Sequence, residues 1–408
     1  MALIDTFLQR IVKQGTLTMT HHDGRTVQYG TPAAGFPHVA IRFADAGAAN
    51  YIVSHPRLGA AEAFMDGRLL IEEGDILDLI SLIRANGPWE KGGNLEIKNP
   101  LRRAASSAAE RVSRFNWAAQ SKRNVAHHYD LSDDLYALFL DADRQYSCAY
   151  FTHPDNSLEQ AQADKKAHIA AKLHLKPGQR VLDIGCGWGG MALYLNRAAD
   201  VDVLGITLSE EQLKVARARA EAAGVSDRVK FELIDYRDVQ GRFDRIVSVG
   251  MFEHVGPPHY RDYFRKCHDL LTDDGVLLMH TIGRFGKPGT TDAFTRKYIF
   301  PGGYIPAVSE VVAASEQCRL LLSDMETLRL HYAMTIRHWY QRTVANREKI
   351  EALYDARFFR MWTFYLAGAI AAFESGGMGN HQYQFVRNRR ALPITRDYIG
   401  AAETLLAR

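Results

Sequence analysis

The run Val181-Leu182-Asp183-Ile184-Gly185-Cys186-Gly187-Trp188-Gly189-Gly190 constrains this chain more than any other stretch. Apolar and β-branched residues around Asp183 predict a short buried strand, the glycines a tight turn, and Met191 onwards a helix. Together they make a corner where the backbone can approach a nucleotide and unpaired N–H groups can face it. Gly185, Gly187 and Gly190 satisfy G-x-G-x-x-G, a spacing that several kinds of nucleotide binder share.

Strands and helices alternate after the corner. Val201–Thr207, Val229–Asp235, Phe243–Val249 and Gly275–His280 read as strands. A helix capped at Ser209, with Gln212 as its capping-box partner, runs to Ala223 and stops at Gly224. A helix capped by Ser157 and Gln160 precedes the corner, runs to about Leu173 and ends at Pro177-Gly178. This rhythm predicts an α/β fold with a mostly parallel sheet, helices on both faces and the ligand at the strands' carboxyl ends. From Gly283 to Tyr304 the pattern becomes a loop, and from Arg319 to about Phe373 it is mainly helical, with Trp339, Tyr340 and Trp362 reading as core.

The 408 residues leave room for a smaller domain ahead of this fold. Residues 1–90 read as a small N-terminal α+β domain, with strands at Leu17–Thr20 and Val39–Phe43 and a packed helix at Asp75–Arg84. Residues 91–120 read as a linker that includes a basic helix with Arg102, Arg103, Arg111 and Arg114. That helix suits either an anionic membrane surface or a solvated connection. Residues 121–408 form the expected catalytic domain. A net charge of +3 is too small to imply a nucleic-acid partner. Four scattered cysteines without a C-x-x-C pair point away from disulfides and zinc and suit the cytoplasm. No apolar run reaches the roughly eighteen residues of a membrane span, and Met1–Arg10, with Asp5 and no basic start, does not read as a signal peptide.

The corner's ligand can be narrowed. A dinucleotide-binding corner needs an acid at the end of the second strand for the ribose hydroxyls, but Thr207-Leu208-Ser209 stands there. Asp183, just before the first glycine, can face a cationic methionine moiety or simply order the turn. Asp235 ends the third strand, near where an adenine edge would lie. These positions favour S-adenosylmethionine over a nicotinamide cofactor.

Seven blocks in order carry a family resemblance: His127–Asp130 (HHYD), Tyr146–Phe151 (YSCAYF), Asp183–Gly190, Thr207–Gln212, Gly250–Gly256 (GMFEHVG), His280–Gly283 (HTIG) and Tyr298–Gly303 (YIFPGG). With them the chain resembles the cyclopropane-fatty-acyl-phospholipid synthases, including the mycolic acid cyclopropane synthases. Leu58–Gly67 is similar to the extra N-terminal domain of longer bacterial members. The resemblance implies a class I S-adenosylmethionine-dependent methyltransferase, Rossmann-like, with inserted α-helices. It implies transfer of a methylene to a cis double bond of an unsaturated phospholipid acyl chain, through a carbocation deprotonated by a bound bicarbonate ion. Methyl- or methylene-branched acyl products are the alternative outcome. A homodimer, peripheral to the inner face of the membrane, is the implied assembly.

Residue by residue, the resemblance places the bicarbonate at Cys148 and Ile282 through backbone groups and at Glu253, His280 and Tyr332 through side chains. It places the cofactor at Tyr146, Ser147, Asp183, Gly185, Gly187, Gly189, Thr207, Leu208, Ser209, Gln212, Tyr236 and Arg237. Gln212 has a second reading as a capping partner only. Tyr236-Arg237 differs in type from the Trp-Glu of the mycolic-acid members. Ala369 stands where many relatives carry a cysteine, which implies either that the cysteine is dispensable, as suits a mechanism without covalent catalysis, or that this protein carries out a variant reaction.

Overall fold

Leu17 and Met19 alternate inward with Val39, Ile41 and Phe43, and this period-two pattern builds the first sheet. The structure is a computed structural model that describes residues 3–93 and 131–406. The basic stretch from Arg102 to Arg114 and the His127–Asp130 block lie outside the described residues. The chain divides into two compact units.

In the first unit, four strands are ordered β2-β1-β3-β4. They are β1 (Gly15–Thr20), β2 (Thr26–Thr31), β3 (His38–Phe43) and β4 (Leu69–Glu73). The helix Ile76–Ala85 opens on a reciprocal cap: Asp75 accepts from the Asp78 N–H at 2.8 Å and Asp78 accepts from the Asp75 N–H at 3.1 Å. The Tyr340 hydroxyl also donates to Asp75, at 2.9 Å.

The same unit contains Asp292–Ile299 and Ala333–Gly377. The sequence reading had these residues in the C-terminal domain. They join the N-terminal residues because the helix Ala356–Glu374 offers an apolar face with a polar fringe. Phe364 packs against Phe64 (ring centroids 6.3 Å apart), the Arg360 Nε donates to the Met65 carbonyl (2.7 Å) and Arg357 pairs with Asp66 (2.8 Å). Trp339 and Trp362 are buried as expected of core residues, and Ala369 lies in this helix.

The second unit is built on a seven-stranded sheet ordered β10-β11-β9-β8-β5-β6-β7. Its strands are β5 (Arg180–Ile184), β6 (Asp202–Thr207), β7 (Val229–Leu233), β8 (Phe243–Val249), β9 (Leu271–Arg284), β10 (Leu321–Leu328) and β11 (Met378–Val386). The five from β9 to β7 run parallel, and β10, β11 and β9 pair antiparallel. Val181, Leu182, Ile246, Val247, Leu277 and Leu278 are fully buried, the unbroken apolar runs expected of strands covered on both faces. This is the mostly parallel α/β architecture that the alternation predicts.

One strand departs from the sequence reading and another lies beyond the stretches it assigned. β10 lies inside the stretch read as helical. As an edge strand it leaves Leu321 and Leu322 exposed and mixes Ser323, Asp324 and Glu326 among apolar residues, so no alternation marks it. β11 carries Asn380, His381, Gln382 and Gln384 fully buried in the sheet interior, a composition that reads as surface. Among the described residues no helix is long and apolar enough to cross a membrane.

Candidate active site

The Gly-rich corner turns where β5 ends. The Gly185 and Cys186 N–H groups both donate to the Ile206 carbonyl, at 2.9 and 3.0 Å, which folds the turn against β6. Gly185, Gly187 and Gly189 have φ of +81°, +54° and +82°, a region L side chains rarely enter. Their surroundings differ. A Cβ on Gly189 would lie 2.7 Å from the Phe231 ring and one on Gly185 3.0 Å from Met251, whereas at Gly187 nothing stands within 4 Å. Gly187 is therefore the glycine whose open side can admit a ligand.

Beneath the corner, Asp183 is 2% exposed and its Oδ2 has no hydrogen-bond partner. Burial pushes its carboxyl up to about 7, and the Lys165 ammonium opposes that rise. Lys165 is itself fully buried on the helix Leu158–Leu173, and burial pulls it down to about 7. Its Nζ donates to Gln145 Oε1 (2.7 Å) and Ser147 Oγ (2.8 Å). From the same helix the Gln162 amide donates to the Gln145 and Ser147 carbonyls, at 3.1 and 3.0 Å. Gln145–Cys148 is thus pinned from below. The Tyr146 ring meets Tyr136 edge-on at 5.3 Å, and Tyr136 meets Trp188 of the corner at 5.1 Å.

The turn after β6 is closed by its own hydrogen bonds. Ser209 Oγ caps the Gln212 N–H at 3.3 Å, the Ser209 N–H donates to Thr207 Oγ1 at 3.2 Å, and Thr207 Oγ1 donates to Gln212 Oε1 at 3.1 Å. The Gln212 side chain reaches Thr207 rather than the Ser209 backbone, so the capping box is half formed. Gln160 likewise turns to Asp164 (2.8 Å) while Ser157 caps its N–H. Leu208 lies between the capped residues, half-buried. After β7, Arg237 grips Asp235 in a two-pronged pair, at 2.8 and 2.6 Å, and the Tyr236 ring stands edge-on to Tyr263 at 5.4 Å. Arg237 therefore neutralises Asp235 as part of this loop.

A second cluster sits where β8 and β9 end. Glu253 lies in a single 3₁₀ turn, Phe252–His254, just after β8. Its Oε1 accepts the Ile282 N–H at 2.7 Å, its carbonyl accepts the Tyr304 N–H at 2.9 Å, and its Oε2 is buried without a partner. Burial raises its pKa. His280 on β9 is 1% exposed. Its Nδ1 lies 3.2 Å from the Gln382 Nε2, and its Nε2 is buried without a partner. Burial, then the Lys165 and Lys172 charges, push its pKa well below the usual range, so the ring is neutral.

Cys148 is fully buried, its thiol against the Ala149 carbonyl at 3.4 Å. Tyr332 lies half-buried in the first turn of the helix His331–Ala345. The two segments are joined next door: the Phe151 N–H donates to His331 Nδ1 at 2.9 Å, and the Tyr150 ring is sandwiched between His168 (4.1 Å) and His331 (5.2 Å).

Glu253 and Ile282 are joined by a direct hydrogen bond, and His280 stands two residues before Ile282 on β9. Lys165 acts electrostatically on Asp183, Cys148 and His280 at once. The Ile282 N–H is engaged with Glu253 and holds that carboxyl. Lys165, Gln162 and Gln382 were missed in the sequence. Lys165 and Gln162 sit inside an Ala-rich helix whose polar residues read as solvent-facing.

The unpartnered Asp183 Oδ2 and the open side of Gly187 fit a ligand with a cationic centre. The unpartnered Glu253 Oε2 and His280 Nε2 fit a small oxyanion, since a protonated carboxyl and a neutral imidazole can each donate one hydrogen bond. Among the described residues no group of three or more His, Cys, Asp or Glu is arranged to hold a metal ion.

Comparison with known proteins matches residues 117–383 to the mycolic acid cyclopropane synthetase family and residues 3–87 to a domain of unknown function. A "probable fatty acid methyltransferase" of Pseudomonas putida is 43% identical over 284 residues, 67% of this chain and 72% of its own. The cyclopropane-fatty-acyl-phospholipid synthase of Escherichia coli K12 is 39% identical over 338 residues, 82% of this chain and 85% of its own. A solved mycolic acid cyclopropane synthase, complexed with S-adenosylhomocysteine, is 33% identical with a TM-score of 0.61, covering 65% of this chain and 97% of that one. The fold is that of the class I methyltransferases.

Proposed function

The chain belongs to the mycolic acid cyclopropane synthetase family, and from that premise we propose that it is an S-adenosylmethionine-dependent enzyme that closes a cyclopropane ring on the cis double bond of an unsaturated phospholipid acyl chain. The observation that carries this reading is the pair Glu253 and His280. Both are buried, both are held away from their charged forms, and each keeps one polar atom unpartnered.

The cofactor, when bound, supplies an electrophilic methyl on a sulfonium, which a weakly nucleophilic alkene requires. Gly185, Gly187 and Gly189 would cradle it, with Tyr146, Ser147, Thr207, Leu208, Ser209, Gln212, Tyr236 and Arg237 around it and Asp183 facing its positive charge. Glu253, His280, Tyr332 and the Cys148 backbone would hold bicarbonate, which when bound would supply a base for the methyl proton. Glu253 Oε2 and His280 Nε2 would face that ion, and the Ile282 N–H fixes Glu253 for the task. The burial of these groups keeps water from the developing cation. Because the acyl chain lies in a bilayer, the proposal includes a peripheral encounter with the membrane's cytoplasmic face.

A second reading, a methyl- or methylene-branched product, is favoured by the 43% identity to the Pseudomonas putida protein. It shares the alkylation and differs in which proton leaves. Release of S-adenosylhomocysteine tests the common step. It is expected with vesicles of a monounsaturated phospholipid and absent with the saturated one. Equal release with both would contradict an alkene substrate.

A further inference from the structure

Gln382 is a polar residue in the interior of a sheet, a costly place for an amide unless it has a task. Its strand β11 pairs antiparallel with β9, and Gln382 stands directly opposite His280 in the register. Opposed residues of an antiparallel pair project from the same face. Both are 1% exposed, and the Gln382 Nε2 lies 3.2 Å from the His280 Nδ1.

We propose that Gln382 is a positioning residue that fixes His280 as the Nε2–H tautomer, so that the imidazole donates a hydrogen bond into the site instead of accepting one there. An amide NH₂ can only donate, so the Nδ1 it faces must be the ring's acceptor. In the orientation present, one Gln382 N–H faces the His280 Nδ1 while Gln382 Oε1 has no partner. The ring is neutral for the reasons given above, so it carries one proton, and that proton sits on Nε2. The Nε2 has no partner of its own. The strand is anchored beside the amide: the Gln384 Nε2 donates to the Lys172 carbonyl and to the Tyr398 hydroxyl. His280 is thereby an oxyanion holder, not a general base. This assignment rests on the reading of His280 as a bicarbonate ligand.

The test is a long-range proton–nitrogen NMR correlation of the full-length enzyme labelled with [15N]histidine, with His280 assigned from His280→Gln. The expected wild-type spectrum shows a protonated Nε2 and an unprotonated Nδ1. Q382M should populate both tautomers, raise the bicarbonate concentration needed for half-maximal turnover on the order of 10- to 100-fold, as loss of a partner that orients a ligating histidine does, and leave S-adenosylhomocysteine affinity unchanged. A wild-type ring protonated on Nδ1 overturns the proposal, even if Q382M fails to fold. An unchanged spectrum in Q382M also overturns it, whatever the activity. If the tautomer is as expected but wild-type turnover is indifferent to bicarbonate depletion, the ion reading fails while the role of Gln382 in setting the tautomer stands.

Discussion

The main-chain N–H of Ile282 donates to Glu253 Oε1 at 2.7 Å, which leaves Oε2 as the free end of a buried carboxyl. One oxygen is thus fixed to the sheet and the other is presented to the site. Burial raises the pKa of this carboxyl.

Glu253→Gln keeps the shape and the Ile282 contact but replaces the hydroxyl with an amide. Turnover on unsaturated phospholipid is expected to fall by about 10²- to 10³-fold, the usual cost of disturbing one donor of an oxyanion site. Cofactor affinity, measured by calorimetry with S-adenosylhomocysteine, is expected to hold. Near-wild-type turnover would remove Glu253 from the chemistry.

Asp183 stores an electrostatic penalty. Its folded pKa, about 7, lies above the ordinary 3.8, so between those values the folded state binds the extra proton. Stability from this group is full below about pH 4 and is lost as pH rises through 7. The displacement corresponds to at most roughly 4 kcal/mol. Asp183→Asn removes it, so in urea unfolding the variant's advantage over wild type should grow from pH 4 to pH 8. Its S-adenosylhomocysteine affinity should fall. An advantage that does not change with pH would contradict the buried, unpaired carboxyl.

Lys165 has the opposite dependence. Its folded pKa of about 7 lies below the ordinary 10.5, so the unfolded chain binds more protons between those values. Wild-type stability therefore rises with pH across that window. Lys165→Met should flatten the rise and, by releasing Ser147 Oγ and Gln145 Oε1, weaken S-adenosylhomocysteine binding by about tenfold, the worth of one charge-assisted hydrogen bond. Unfolding curves at pH 7 and pH 10 together with calorimetry check both effects. Unchanged affinity would leave Lys165 a packing residue.

Cys148 is assigned through its backbone, and its thiol is fully buried. Cys148→Ser is therefore expected to keep turnover within roughly threefold, since a reactive cysteine must be an accessible thiolate. A loss of several orders of magnitude would indicate thiol chemistry.

The corner at Val181–Gly190 and the strand–helix alternation were legible because they are local: periodicity, caps and glycines lie within a few residues of one another. Glu253 and His280 were legible only through the blocks around them, since nothing local marks a carboxyl as buried. β11 was not legible. Its Asn380, Gln382 and Gln384 read as solvent-facing until β9 and the helix Leu158–Leu173 cover them. The His280–Gln382 pair spans 102 residues, and no spacing rule reaches that far. Residues 333–377 group with the N-terminal residues by contact, which was not legible because an apolar helix does not say which surface it will cover.

The measurement that tests the central claim most directly is a proton NMR spectrum of the acyl chains after incubation with S-adenosylmethionine and monounsaturated phospholipid vesicles. A ring product gives upfield ring-methylene signals as the olefinic protons disappear. A branched-chain product, with a methyl doublet or exocyclic methylene protons and no upfield signals, would contradict cyclopropane formation.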